Sequence, residues 1–146
     1  MTETRKDPGE QFFPYLAALF GLFLFRVLAQ GIQAVYSVPF LPPFDSWQSG
    51  ALPYPALLVF QIIILMVMGT LLRRIRTDGL SPSVRQYRFC FIFGGIYAVT
   101  MIFRLVAGLT FFSHIPWFNV FLPSVFHIVL ASFVLLVGRY LYLKTL

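Results

Sequence analysis

Six side chains in this chain combine types and spacings that could do chemistry in an apolar setting: Arg26, Gln30, Gln33, Gln61, Arg104 and His127. Arg26, Gln30, Gln33 and Ser37 follow one another at intervals of four, three and four, which is one face of an α-helix. Tyr97, Thr100, Arg104 and Gly108 repeat that pattern, and Ser124, His127 and Ala131 form a third stripe. The positions between them are Leu, Phe, Val, Ile and Ala. A guanidinium is always cationic, and its fork of donors matches carboxylate or phosphate. A carboxamide both donates and accepts, which suits a polar headgroup or a quinone carbonyl. An imidazole can bond either way or carry a proton. Together these groups are equipped to bind the anionic or carbonyl-bearing head of a lipid-like molecule. Polar side chains also bridge membrane helices, at about 0.6 kcal/mol each. The binding reading therefore leans on the arginines. An arginine at the centre of a bilayer costs roughly 3 kcal/mol on insertion scales, and such a residue faces protein or water and commonly serves function.

The charge of this cluster is unbalanced. None of the four apolar runs contains Asp or Glu, and Asp45 in the first outer connection is the one acid within reach. Two facing guanidiniums repel in low dielectric. Asp45, backbone carbonyls, water or an anionic ligand must offset them.

Other chemistries find little support. There is no Gly-x-Ser-x-Gly and no His-Glu-x-x-His. Cys90 is the single cysteine, so it forms no intramolecular disulfide and no cysteine metal site. His114 and His127 fall on adjacent elements at different depths, a poor pair for one haem iron. No catalytic residue, metal site or cofactor is expected, and the chain reads as a non-enzyme.

The elements that must position the six residues follow from composition. Hydrophobic residues make up 59% of the chain and charged ones 11%, against about 25% charged in soluble domains. That deficit leaves lipid as the surrounding medium. Four apolar runs, at about 13–37, 54–75, 87–112 and 120–143, each reach the ~20 residues a spanning helix needs. Pro14, Pro55 and Pro123 lie near their starts, where proline suits a first turn. A β-barrel requires alternation, and the run from Ile62 to Met68 has none. The expected fold is all-α: a polytopic, four-transmembrane-helix bundle forming a single domain over 1–146. At ~1.5 Å rise per residue, Gln30, Gln61, Arg104 and His127 fall about 10–12 Å from the outer ends, and Arg26 about 16 Å. Stripes that face inward would meet there, in the outer half.

Nine of the 11 basic residues lie in the N-terminal segment, the second connection and the C-terminal end; the other two are Arg26 and Arg104. The positive-inside rule then places both termini in the cytoplasm, as in an integral protein of a bacterial plasma (inner) membrane. The net charge of +6 is thereby read as topology, and nucleic acid is not an expected partner. The two outer connections are rich in Pro and aromatics, notably Pro39 to Trp47 and Ile115 to Phe118. They are expected to lie flat at the interface. The leading function is binding of a lipid-like ligand, or docking on a larger membrane complex. The expected partners are membrane lipids and a membrane protein or a second copy of the chain. A transporter or channel subunit is the alternative, and it requires polar groups along the whole length. A membrane redox subunit using His127 is a further one.

Overall fold

The computed structural model describes residues 7–48, 50, 52–115 and 121–146. They form four α-helices: α1 (Pro8–Val35), α2 (Tyr54–Arg76), α3 (Val84–Leu109) and α4 (Phe121–Thr145). A short 3-10 helix, Phe44–Trp47, lies between α1 and α2. No strand occurs among the described residues. All four helices are long and apolar enough to cross a membrane. They hold 23 to 28 residues, which at ~1.5 Å each is about 35–42 Å of helix. The hydrocarbon core is ~30 Å thick.

Local chemistry explains the helix ends. Pro8 opens α1 and Pro55 lies in the first turn of α2, where a missing N–H costs no hydrogen bond. α1 therefore starts well before the Pro14 that marks its expected beginning. Pro14 is carried inside the helix, releasing only the carbonyl of Glu10, an exposed residue. At the other end Tyr36 turns to extended backbone while its N–H still reaches Ile32 O at 2.7 Å. α2 closes on Arg73, Arg74 and Arg76, cations that favour the negative end of the helix dipole. Asp78 then adopts φ 55°, and Gly79 N–H bonds back to Arg74 O at 2.8 Å. This left-handed step satisfies a terminal carbonyl. α3 ends at Leu109, short of the expected 112, and continues as turns to His114.

The helices pack in the order α2, α1, α4, α3. α3 and α4 make the most extensive contact. Gly138 and Gly94 permit it. A Cβ at Gly138 would stand 2.9 Å from the Cys90 Cβ, and one at Gly94 would stand 3.0 Å from Leu135. Close approach multiplies dispersion contacts, which drive helix association where lipid removes the hydrophobic effect. Among the described residues α2 packs its backbone closely on α1 alone. Its side chains reach further: Met68, Leu72 and Ile75 join Leu16 and Phe23 of α1 and Phe133, Val137 and Leu141 of α4 in the main core.

One end of the bundle collects the start of α1, the end of α2 and the end of α4. There Gly9 faces the Ile75 carbonyl, the Arg76 guanidinium lies over the Phe13 ring at 5.4 Å, and Lys144 pairs with Asp78. We call this the inner end. The main core fills that half. The polar stripes occupy the other.

Candidate functional site: a polar cluster walling an apolar cavity

Arg26 is only 5% exposed. Its Nη1 donates to Gln30 Oε1 at 3.2 Å and its Nη2 to the Trp47 carbonyl at 3.0 Å. The guanidinium carbon sits 5.6 Å from the centre of the Phe126 ring, within cation–π range. Gln61 Nε2 donates to the same Gln30 Oε1 at 3.1 Å. Gln30 and Gln61 are 0% and 2% exposed. The arginine fixes the direction of this chain of bonds. A guanidinium has donors only, so Gln30 must turn its oxygen to it. That oxygen in turn requires the nitrogen of Gln61. Gln61 Oε1 and Gln30 Nε2 are then left buried, with no hydrogen-bond partner among the described residues.

The counter-charge comes from the backbone. Asp45 is exposed and lies outside the cluster. Trp47 ends the 3-10 helix, where carbonyls lack an intrahelical acceptor role and carry the negative end of the local dipole. Its carbonyl meets Arg26. The indole is 2% exposed, donates from Nε1 to Pro42 O at 3.0 Å and stacks on Phe126 with centroids 6.1 Å apart. The first outer connection thus differs from the flat interfacial loop expected of it. Phe40 does project outward, but the 3-10 turn folds Trp47 into the bundle. Arg26 needs an acceptor and Phe126 offers a face, so burial outweighs the interface preference. The corresponding expectation for Ile115 to Phe118 falls mostly outside the described residues.

Gln33 stands apart from this cluster. Its Oε1 accepts the Val38 N–H at 2.9 Å and so closes the end of α1. Ser37 is exposed, and Thr100 is exposed and bonded back to Ile96 O at 2.8 Å. His127 is half-buried and shares a hydrogen bond, through Nδ1, with the Tyr97 hydroxyl. The two rings meet edge to face at 5.7 Å. Arg104 is buried near the outer end of α3. Tyr97 and His127 thus form a second polar pair, joining α3 to α4. His114 is exposed on the turn after α3. Reasoning from sequence missed Trp47 and Phe126. A tryptophan in a connection nearly free of charge was the available signal for the first; nothing in the sequence set Phe126 apart from seventeen other phenylalanines.

A cavity of about 320 Å³ lies between α1, α2 and α4. Arg26, Gln61 and His127 supply its polar wall; Phe23, Phe60, Ile64, Phe126 and Leu130 supply much of the rest. Phe60 and Leu52 line it and are also exposed on the outside, so its mouth faces sideways. Buried Trp47 covers the cluster from the outer end. An apolar slot with a few convergent polar groups is the usual form of a small-molecule site. Compared with known protein families, curated proteins and solved structures, the chain matches none.

Proposed function

We propose that this integral membrane protein binds a lipid-derived amphiphile, with the polar head at Arg26, Gln61 and His127 and the apolar portion in the adjoining cavity. One observation carries the reading: a buried guanidinium forms part of the wall of an otherwise apolar cavity that opens on the side of the bundle. Part of its donor fork is committed to Gln30 and Trp47, and the remaining donors suit an acceptor oxygen, anionic or carbonyl. The sideways mouth and the Trp47 cover favour arrival from the bilayer over arrival from water. Both termini face the cytoplasm of a bacterial-type plasma membrane in this reading, since Arg73, Arg74, Arg76 and Lys144 lie at the inner end. A continuous transport path finds no support below the cluster, where Leu16, Phe23, Met68, Leu72, Phe133 and Val137 pack together.

The test is purification in native lipid discs followed by mass spectrometry of extracted small molecules. Arg26→Leu is expected to lower the bound amphiphile about tenfold, the loss of one charge-assisted hydrogen bond. Unchanged bound molecules in a folded variant refute the proposal. A periplasmic reporter fused after Leu146 is expected to stay silent; activity there reverses the orientation.

A second reading, docking on a membrane complex or on a second copy, is favoured by α3. It is the least buried of the four helices and packs closely on α4 alone among the described residues. Native mass spectrometry from membranes separates it: a monomer with bound amphiphile opposes it.

A further inference from the structure

The cavity beside Arg26 has a neighbour. A second cavity, of about 310 Å³, lies between α2, α3 and α4. Ile64 and Leu130 line both. The two thus adjoin in one seam along α2 and α4, with those two side chains between them. The α2 wall of the seam runs from Leu57 in the first chamber to Leu71 in the second. That is about 21 Å at ~1.5 Å per residue, longer than one leaflet of a ~30 Å hydrocarbon core. The seam exists because, among the described residues, α2 packs its backbone far more closely on α1 than on α3 or α4. Its first chamber carries the polar wall. Its second adds only Tyr97 to apolar residues such as Met68, Phe133 and Val134.

The polar wall also states what the head must carry. Arg26 offers donors and so takes an acceptor. Gln61 lines the same cavity, and its Oε1 is buried and lacks a hydrogen-bond donor among the described residues. Its direction is fixed by the bond from Arg26 through Gln30, so it cannot be relieved by turning the amide. A buried orphan acceptor is costly. An occupant that lacks a donor leaves that cost standing.

We infer that the occupant is a single-tailed amphiphile whose compact head pairs an acceptor oxygen with an adjacent O–H or N–H. The acceptor faces Arg26, the donor faces Gln61 Oε1, and the tail passes between Ile64 and Leu130 into the second chamber. This rests on the binding reading above and narrows it. An oxidised quinone or a simple ester presents acceptors alone and meets only half of the wall. A primary amide, a protonated carboxylic acid and a hydroxyl-bearing head share the required pattern.

The experiment measures binding of palmitamide, methyl palmitate and octanamide to the full chain in lipid discs. Palmitamide is expected to bind about tenfold or more tighter than methyl palmitate, because the ester has no donor for Gln61. Gln61→Leu is expected to erase that preference. Leu130→Trp fills the neck and is expected to weaken palmitamide several-fold while sparing octanamide, whose tail stays in the first chamber. Equal affinities for amide and ester overturn the head assignment. A chain-length profile unaltered by Leu130→Trp overturns the tail path. If Gln61→Leu does not fold, the amide-against-ester comparison on the unaltered chain decides. Arg26→Leu separates the two levels of the argument. Affinities for every probe unchanged in that variant sink the broader binding reading. Equal amide and ester affinities that both fall in that variant sink only the head assignment. Palmitic acid adds a check on the source of the donor: binding that strengthens as pH rises means an acceptor-only carboxylate is preferred, and overturns the donor requirement.

Discussion

The inner and outer halves of this bundle are held by different means. The inner half is filled by an apolar core to which α1, α2 and α4 all contribute, from Leu16 through Ile75 to Leu141. The outer half has a small apolar cluster, Ala29, Trp47 and Phe126, and beside it hydrogen bonds and a cavity. Shape fits closely in one half; in the other, polar groups are satisfied in sequence and space is left over. In lipid the first arrangement supplies stability through contact, and the second supplies specificity at some cost in contact. Substitutions in the inner half should therefore act on unfolding, and those in the outer half on local opening and binding.

The largest expected effect tests the close-packed side of the contrast. Gly138→Ala places a Cβ against Cys90 and pushes α3 from α4, at a cost of about 2 kcal/mol. Denaturant unfolding in micelles reads it. The double variant Cys90→Gly with Gly138→Ala should recover most of the loss, since the clash needs both Cβ atoms. Failure to recover means that the inner half is not limited by this contact. Next comes the cover over the cluster. Trp47→Phe keeps a ring on Phe126 but removes the bond to Pro42, for about 1 kcal/mol. Its signature is local: a cysteine probe at Ala29, buried beside Trp47, should become more reactive to a water-soluble reagent while global unfolding moves little. A global effect larger than that of Gly138→Ala inverts the comparison. Tyr97→Phe removes the bond to His127 and should cost about 0.6 kcal/mol, the average for such a bond between membrane helices. The smallest change belongs to Lys144→Gln at the inner end. The Asp78 side chain of that pair is 65% exposed, so loss of the ion pair should cost under about 0.5 kcal/mol and vanish at high salt. A larger loss assigns the inner end an electrostatic role that its core makes unnecessary.

Much of this architecture is legible in the sequence because membrane physics leaves few options. Run length and charge deficit identify four helices long and apolar enough to span a membrane, and the stripe through Arg26 and Gln30 identifies the face that turns inward. The exact ends are less legible. Pro14 reads as a helix start but is tolerated inside, since only one exposed residue's carbonyl is released. Gln33 shares the face of Arg26, yet a free backbone N–H at Val38 lies nearer to it than any neighbouring helix. Helical periodicity gives direction; it does not say which partner lies at that height. The role of Trp47 was hidden for a further reason. Its contribution to Arg26 is a backbone carbonyl, which every residue has and no sequence distinguishes. Likewise the seam between α2 and α4 reflects which helices stay apart, and no pattern on α2 alone reveals that.

The hydrogen bonds described for the two polar groups obey a further rule. Arg26, Gln30, Trp47 and Gln61 all belong to the first two helices and the segment joining them, whereas Tyr97 and His127 belong to the last two. Each antiparallel pair thus settles its own polar accounts. During synthesis, when later segments are still inside the ribosome, the first arginine already has its acceptors at hand. A chain that entered a bilayer two helices at a time would carry Arg26 already bonded within its own pair. The Phe126 ring beside Arg26 is supplied by α4.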